Sequence, residues 1–193
     1  MSDRQAPSHI TRSWPLLHAH SLTVRPLRPE DRGLIVRLGQ ALSVDSRYNR
    51  FLGGGIVFTR ELLDRLVTID YSRDFALIAT VVLEGIETPV GVARWARLPD
   101  DASAVEFAVT VADAWQRCGI GRLLLTRLIE LARDAGVARI IGEVLATNTA
   151  MIALGARVGF RTQRHPEGAT HRRLVMDLND QARAFIGTPD AEV

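Results

Sequence analysis

Apolar residues recur along the chain at two spacings, and each spacing predicts a different element. Short apolar or alternating runs that end at turn residues predict strands, whereas apolar residues three or four positions apart predict helices. Seven segments are predicted to be strands: Ser21 to Arg28, Phe75 to Leu83, Pro89 to Arg97, Ala104 to Val111, Arg139 to Leu145, Phe160 to His165 and Thr170 to Asp177.

Five helices are predicted between these strands, and Gly53-Gly54-Gly55 is predicted to break the chain between the second and the third. The first opens at Pro29-Glu30-Asp31 and carries Leu34, Leu38 and Leu42, and the second runs from Ser43 to Phe51. The third is capped by Thr59 and carries Leu62, Leu63, Leu66 and Ile69. The fourth helix carries Leu124, Leu128 and Leu131 and ends at Gly136. The fifth begins at Thr147 or Asn148 and ends at Gly159, and its inward residues are Met151, Leu154 and Val158.

The order of the elements predicts the fold class. Turn residues at Gly85 and at Pro99-Asp100-Asp101 separate the second, third and fourth strands, which favours an antiparallel meander. Strands before, between and after helices predict an α/β (α+β) protein with one mixed sheet. One domain is expected from residue 21 to residue 180, with tails at 1–20 and 181–193. His18 and His20 fall in the first tail, where solvated side chains are expected rather than metal ligands.

The composition is that of one ordinary globular domain. The chain has 193 residues, 47% of them hydrophobic and 24% charged, and such a chain buries roughly 70% of its unfolded surface. A disordered chain is therefore excluded. The single cysteine, Cys118, excludes an internal disulfide and a structural zinc cluster, and it fits a reducing compartment.

The charges point to no polyanionic partner. The net charge is +2, and all 24 basic side chains are arginines, since the sequence contains no lysine. These arginines are dispersed and form no stripe with interleaved aromatic residues, so no nucleic-acid partner is expected. The first twenty residues lack the apolar stretch of a signal peptide, and no window approaches the roughly 20 apolar residues of a membrane span. A soluble cytoplasmic protein is expected.

The segment from Val109 to Arg122 is a strand that runs through a glycine-bearing loop into a helix. Gly119 and Gly121 let the backbone approach a ligand closely, and the free N–H groups at the helix start favour an anion such as a diphosphate. The loop lacks the Lys and Ser/Thr of a P-loop and the third glycine of the dinucleotide fingerprint. Glycines that open a helix for structural reasons alone remain the alternative.

This loop resembles the pyrophosphate motif of the GNAT superfamily of acyl-CoA-dependent N-acyltransferases, Gln/Arg-x-x-Gly-x-Gly/Ala. Gln116-Arg117-Cys118-Gly119-Ile120-Gly121 matches it at every specified position. Asn148, at a helix start, and Gly159-Phe160, at its end, form a second pairing typical of the family. The resemblance covers about four-fifths of the chain. It implies a GNAT fold with about seven strands and four to five helices, splayed between the fourth and fifth strands, and acetyl-CoA as the acyl donor without a metal.

Four further stretches resemble the catalytic domain of Pat-type protein lysine acetyltransferases. Such enzymes carry this domain fused to an acyl-CoA-synthetase-like or cyclic-nucleotide-binding domain, for which this chain has no room, so a stand-alone version is expected. The four stretches are Leu42-Ser43-Val44-Asp45-Ser46-Arg47-Tyr48-Asn49-Arg50-Phe51, Ile69-Asp70-Tyr71, Val105-Glu106-Phe107-Ala108-Val109 and Gly142-Glu143-Val144-Leu145.

Glu106 is the first candidate for a catalytic group. Strand alternation places it opposite its apolar neighbours and beside Ala104, Ala108 and Thr110. An acid among small residues in a central strand suggests a special role, and the resemblance assigns a matching glutamate as the general base. Pairing with Arg94 or Arg97 on the preceding strand is the structural alternative.

The resemblance implies the remaining donor-site residues as well. Backbone N–H groups in the segment from Ala108 to Val111 would stabilise the oxyanion, and Asn148 would hold the pantetheine amide, although a helix N-cap explains Asn148 equally well. Cys118 occupies an unspecified motif position and is interpreted as filler rather than as an acyl-carrying nucleophile. The donor site is predicted to contain Val109, Val111, Gln116, Arg117, Cys118, Gly119, Ile120, Gly121, Arg122 and Asn148.

The acceptor side has weaker signals. Glu143 is a second catalytic candidate, which assists Glu106 or binds the amine; the alternative is a strand acid that is merely solvated or paired. Ser46, Arg47 and Tyr48 are predicted to border the acceptor site. A basic rim on the last hairpin would favour an acidic protein surface, unless its residues are merely solvated. The basic rim consists of Arg161, Arg164, His165, His171, Arg172 and Arg173.

Many GNAT enzymes place a tyrosine general acid at the position of Gly155. A thiol with a pKa of about 8.5 leaves readily as the thiolate, so turnover without that acid is still expected. The function expected is acetyl-CoA-dependent N-acetylation of a protein lysine, by a monomer or a homodimer. Acetylation of a small amine is one alternative, and an acyl-CoA-binding regulatory module without turnover is the other. The absence of lysine reflects genome composition, or else protects the protein from acylating itself.

Overall fold

The computed structural model describes residues 7–15, 21–52, 59–166 and 168–179. The predicted break at Gly53-Gly54-Gly55, His18, His20 and the tail at 181–193 lie outside these ranges. No helix in the described ranges is long and apolar enough to span a membrane. The elements are β1 (Arg12–Pro15), β2 (Ser21–Pro26), α1 (Arg32–Gln40), α2 (Val44–Arg50), α3 (Arg60–Val67), β3 (Phe75–Leu83), β4 (Ile86–Arg97), β5 (Ala104–Val111), α4 (Ile120–Asp134), β6 (Arg139–Leu145), α5 (Thr149–Val158), β7 (Arg161–His165) and β8 (Gly168–Asp177).

The strands form one mixed sheet in the order β1-β2-β3-β4-β5-β6-β8-β7, in which β5 and β6 are parallel and all other neighbours are antiparallel. The predicted mixed sheet is confirmed. The strand beyond the seven predicted is β1, whose residues 12–15 were expected in the N-terminal tail. Strand β4 begins at Ile86 rather than Pro89 because the strand passes through the proline at a register shift opposite Ala79 and Thr80.

Two layers of helices cover the sheet. The larger core lies under α4 and α5 and contains the fully buried Leu124, Leu125 and Leu128 of α4. The smaller core lies under α1 and α3, against Ala76 and Ile78 of β3. Helix α3 ends at Val67, so the predicted Ile69 lies beyond it, partly buried against the smaller core.

The sheet opens between β5 and β6. Only Ala104, Val105 and Glu106 pair with β6, opposite residues 139–141. Beyond that point β5 continues along β4 as far as Val111, and β6 continues along β8 as far as Leu145. The gap therefore widens toward the C-terminal ends of both strands, which confirms the predicted splay. Alternate backbone N–H groups of residues 107–111 face this gap without a strand partner.

Phe107 and Gly142 face each other at the point where the sheet opens. A Cβ on Gly142 would lie 2.3 Å from Cε1 of Phe107, whose ring also packs on Phe160 at 4.9 Å between centroids. We expect Gly142→Ala to lower the free energy of unfolding by about 1–3 kcal/mol because the ring must move. Gly33→Ala is the control, since a Cβ at Gly33 in α1 meets nothing within 4 Å.

Urea unfolding of both variants measures these effects. Gly33→Ala is expected to match or slightly exceed wild-type stability, because alanine favours a helix over glycine. Wild-type stability in Gly142→Ala would contradict the close packing of Phe107 on Gly142.

Candidate active site

A cavity of about 590 Å³ occupies the gap between β5 and β6. Strand β5, the loop that follows it and the start of α4 form one side of it, and α2, β6 and α5 complete the wall. It brings together most of the residues that the sequence analysis singled out. Those that line it are Ser46, Glu106, Val109, Val111, Gln116, Arg117, Gly119, Gly121, Arg122, Glu143 and Asn148.

The loop before α4 presents free backbone N–H groups to this cavity. Gly119 is the N-cap residue of α4 at φ +85°, and no side chain caps the helix there. The first N–H groups of a helix have no partner within it, and the helix dipole adds positive potential. Arg117 has φ +62°, so the chain bends tightly before the helix begins. This geometry suits an anionic group such as a diphosphate.

The two glycines of the loop act differently. A Cβ on Gly119 would meet nothing within 4 Å, so its positive φ is what favours glycine there. A Cβ on Gly121 would lie 3.3 Å from Leu154 of α5, so this glycine allows the two helices to pack closely. Ile120 points into the core and is 2% exposed. Cys118 is exposed, and neither Ile120 nor Cys118 lines the cavity.

Besides Arg50 of α2, three arginines add positive charge to the cavity wall: Arg117, Arg122 and Arg157. The sequence analysis predicted the first two from the loop motif. It missed Arg157, which lies in the last turn of α5. An exposed arginine on a helix has no distinguishing pattern, so only the packing of α5 beside the gap reveals its place.

Glu106 faces the cavity at the point where β5 and β6 separate. No described residue makes a hydrogen bond or ion pair with its carboxylate, so the alternative pairing with Arg94 or Arg97 is not found in the structure. Partial burial raises the pKa of Glu106, and the nearby charge of Glu143 raises it further. Arg50 and Arg173 act in the opposite direction. A carboxylate with these properties is suited to accept a proton near neutral pH.

Glu143 also lines the cavity, but its carboxylate is held by neighbours. Arg173 Nε donates to Glu143 Oε1 at 2.7 Å, and His165 Nε2 lies 3.0 Å from Glu143 Oε2. The paired strand acid considered from the sequence is therefore what the structure shows. Because the register places Glu106 and Glu143 on one sheet face, Glu143 also acts on Glu106 through its charge.

The basic rim is partly neutralised. Arg161 pairs with Asp177 at 2.5 Å, and Arg173 pairs with Glu143. Arg172 donates to the backbone carbonyls of Ala169 and His171, both at 2.8 Å. Much of the positive charge of the basic rim is therefore bound by carboxylates and carbonyl oxygens of the protein itself.

Gly155 has no side chain because Leu174 fills the space beside it. A Cβ there would lie 2.8 Å from Leu174 Cδ1, and Gly155 does not line the cavity. Helix α5 presents Met151 and Leu154 to the cavity instead. No tyrosine belongs to the described lining, so departure of a thiolate would proceed without a phenolic acid.

A hydrogen-bond network joins α2 to the loop. Asp113 accepts from the Ser43 N–H at 3.0 Å, from the Ser43 hydroxyl at 2.7 Å and from the Ser46 hydroxyl at 3.0 Å. Gln116 Nε2 donates to the Ser46 hydroxyl at 3.1 Å and to the Val111 carbonyl at 3.2 Å. Desolvation raises the pKa of Asp113, but the hydrogen bonds from Ser43 and Ser46 outweigh it, so the pKa is lowered overall. The network fixes α2 beside the gap.

The other predicted binding residues have mixed outcomes. Asn148 lines the cavity, and its side chain caps α5 by accepting from the Met151 N–H at 3.1 Å. The structure therefore shows the N-cap role at a position that also faces the gap. Arg47 and Tyr48 do not line the cavity, and the Tyr48 side chain is 53% exposed.

Comparison with known families and sequences gives consistent matches. The model of the acetyltransferase (GNAT) family matches residues 46–160. Acetyltransferase PA5475 of Pseudomonas aeruginosa is 37% identical over 147 residues, which cover 76% of this chain and 78% of that protein. Acetyltransferase Pat of Mycolicibacterium smegmatis is 35% identical over 137 residues, which cover 70% of this chain but only 40% of that protein.

Comparison with solved structures finds the same fold. The GNAT domain of S. lividans PAT superposes with a TM-score of 0.80 at 26% identity, over 90% of this chain and 99% of that one. A cAMP-binding acyltransferase from Mycobacterium smegmatis superposes with a TM-score of 0.58 at 27% identity. That match covers 87% of this chain and 47% of the longer one.

Proposed function

Because the chain belongs to the GNAT acetyltransferase family, we propose that it transfers the acetyl group of acetyl-CoA to a protein lysine by direct attack in a ternary complex. GNAT acetyltransferases use acetyl-CoA as the donor. One observation carries the proposal: Glu106, a carboxylate without a partner among the described residues and with a raised pKa, faces the same cavity as the free N-terminus of α4.

The donor would bind along the gap between β5 and β6. The free N–H groups at the start of α4 and the nearby Arg117 and Arg122 suit its diphosphate. The unpaired edge of β5 can hydrogen-bond an extended arm as an additional strand would. This orientation places the thioester toward Glu106, at the narrow end of the gap.

Glu106 would act on the lysine amine. An ammonium with a pKa near 10.4 must lose a proton before it attacks, and at pH 7.4 this costs about 4 kcal/mol. The Glu106 carboxylate accepts that proton directly or through one water molecule, while the nitrogen lone pair attacks the thioester carbon. Because partial desolvation in the gap raises the Glu106 pKa, the carboxylate is a stronger base than a fully solvated one.

The backbone and the leaving group complete the reaction. Attack creates an oxyanion, which unpaired N–H groups of residues 107–111 can stabilise. Collapse of the intermediate breaks the C–S bond and releases CoA as a thiolate, whose pKa is about 8.5, so no acid is required. The nitrogen loses its second proton to the departing thiolate or to solvent, and the proton on Glu106 passes to solvent, which leaves N-acetyl-lysine and CoA.

The choice of a lysine acceptor is supported by similarity rather than by contact geometry. The stretches around Ser46, Glu106 and Glu143 resemble Pat-type lysine acetyltransferases. The relative named Pat is 35% identical, and the GNAT domain of S. lividans PAT has the same fold over 90% of this chain. Ser46, Asn49 and Arg50 of α2 line the same cavity as Glu106, so an acceptor side chain that binds beside α2 would reach Glu106.

The experiment is an acetylation assay with two acceptor classes. Wild type and Glu106→Gln are incubated with acetyl-CoA and either a mixture of folded proteins or a panel of polyamines and aminoglycosides. CoA release and the mass of each acceptor are measured. We expect acetyl-lysine on proteins, dependent on Glu106. Rapid turnover on small amines with none on proteins would contradict the lysine acceptor.

A further inference from the structure

Arg50 and Arg94 lie on the same side of the sheet as Glu106, and neither has an ion-pair partner among the described residues. Arg50 stacks on the Phe51 ring at 5.0 Å and is attracted by the charge of Glu106, and Arg94 is attracted by the charge of Asp74. Arg50 ends α2, and Arg94 of β4 is the register partner of Ala108, which places its side chain on the face of Glu106. No described residue hydrogen-bonds or ion-pairs with either guanidinium. Residues 53–58, which follow α2 in the sequence, are Gly-Gly-Gly-Ile-Val-Phe and include no carboxylate.

These arginines meet at a second, smaller cavity of about 50 Å³. Arg50 and Thr110 line both this cavity and the large one that contains Glu106, so the two adjoin. Arg94 lines the smaller cavity, and apart from Arg50 and Thr110 the rest of its wall is apolar, with the largest share from Ile35, Leu38 and Gly39 of α1. The pocket beside Glu106 therefore has two guanidinium groups and a hydroxyl as its polar groups.

Burial makes this arrangement costly for the protein alone. Burial, and after it the charge of Arg94, lower the pKa of Arg50 to about 10, against the opposite effect of the charge of Glu106. Burial likewise lowers the pKa of Arg94. At neutral pH Arg50 remains a cation, so two like charges lie close together where water is partly excluded. An anion between them would relieve both the repulsion and the missing hydrogen bonds.

We propose that Arg50 and Arg94 bind a carboxylate of the acceptor, so that the enzyme selects an amine with an acidic group beside it. This rests on the proposed function, in which the acidic group is an Asp or Glu next to the target lysine. A free amino acid would supply the same group. Arg50 is close enough to Glu106 for their charges to interact, and Glu106 must contact the acceptor amine. A carboxylate bound by Arg50 would therefore lie beside the amine and belong to the acceptor. The acetyl group of the donor is neutral and supplies no carboxylate.

The test uses short peptides with a single lysine that is flanked by Glu in one peptide and by Gln in the other. We expect wild type to show a KM about 10- to 100-fold lower for the Glu peptide, since a charged hydrogen-bonded pair is lost in the Gln peptide. Arg50→Gln should abolish this difference and leave the KM for acetyl-CoA unchanged. Arg60→Gln, an exposed arginine at the start of α3, is the matched control and should behave as wild type.

Binding without turnover separates the two proposals. Fluorescence anisotropy of the same peptides on the CoA-loaded protein should show tighter binding of the Glu peptide. Tighter binding of the Glu peptide without any acetyl transfer would retain the carboxylate site and reject the lysine reaction. Acetylation of both peptides with equal KM and equal affinity would reject the carboxylate site and retain the reaction. This comparison uses wild type alone, so it stands even if Arg50→Gln fails to fold.

Two further arms identify the source of the carboxylate. Free lysine has a carboxylate that lysinamide lacks, and the two are otherwise alike. If free lysine is preferred over lysinamide, if this preference depends on Arg50, and if it exceeds the preference for the Glu peptide, the site is supported with a small amino acid as its ligand. Succinyl-CoA in place of acetyl-CoA tests the donor. A dependence on Arg50 for succinyl-CoA alone, with no preference among acceptors, would overturn the proposal.

Discussion

The Glu106→Gln variant is expected to lose about 10²- to 10⁴-fold in kcat while its affinity for acetyl-CoA stays unchanged. The amide keeps the size of the side chain but cannot accept the proton of the attacking amine. Glu106 has no partner among the described residues that the substitution would break, so the fold should persist. Steady-state kinetics with a lysine acceptor and calorimetric titration of acetyl-CoA measure the two effects separately.

The pH dependence of kcat/KM provides a second test of the role of Glu106. Because the pKa of Glu106 is raised from its ordinary value of 4.5, kcat/KM should fall as the pH decreases through that raised value, where the carboxylate becomes protonated. Glu106→Gln should lack this acidic limb. Glu30→Gln, at an exposed acid before α1, is the control and should keep the wild-type profile. Unchanged turnover in Glu106→Gln would remove this residue from the mechanism.

The Gly119→Asp variant is expected to bind acetyl-CoA about 10- to 100-fold more weakly than Gly119→Asn. Both side chains occupy the same open space at φ +85° and bear a similar backbone strain. Only the aspartate places a negative charge where the diphosphate is expected, at the N-terminus of α4. Repulsion of several kcal/mol acts between close charges near a protein surface before salt screens it.

Titration of acetyl-CoA into both variants at low and high salt measures this effect. The difference between aspartate and asparagine should shrink as the salt concentration rises, since screening weakens the repulsion. Equal affinity in the two variants at low salt would place the diphosphate away from Gly119.

Local patterns predicted the parts of the site that lie close together in the sequence. The six residues from Gln116 to Gly121 contain a tight bend and a helix start, and both features depend on local backbone geometry. The face of Glu106 follows from strand alternation, and Asn148 was predicted at a helix start because its amide side chain suits an N-cap. Such features can be read from the sequence because near neighbours determine them.

The remaining parts depend on how distant elements pack. Arg50 is one of two arginines in α2, and only the packing of this helix against β5 places it beside Glu106 rather than in solvent. Gly155 was identified as a departure from the family pattern, but the reason is Leu174, nineteen residues later, which occupies the space. The contact of Phe107 with Gly142 likewise joins two strands that no local pattern connects.

The hydrogen-bond network around Asp113 links α2 to the loop that precedes α4. It holds Ser43 and Ser46 at the start of α2 and lies next to Gln116 of the loop. The element that carries Arg50 is therefore fixed to the element that would bind the donor. The proposed donor and acceptor sites would therefore share one wall, which suits direct transfer in a ternary complex.

A crystal structure of the protein with acetyl-CoA tests the central claim most directly. We expect a diphosphate hydrogen-bonded to backbone N–H groups at the start of α4, between Gly119 and Arg122, and a thioester that lies between β5 and β6 and faces Glu106. A coenzyme bound elsewhere on the molecule, or one whose thioester points away from Glu106, would contradict it.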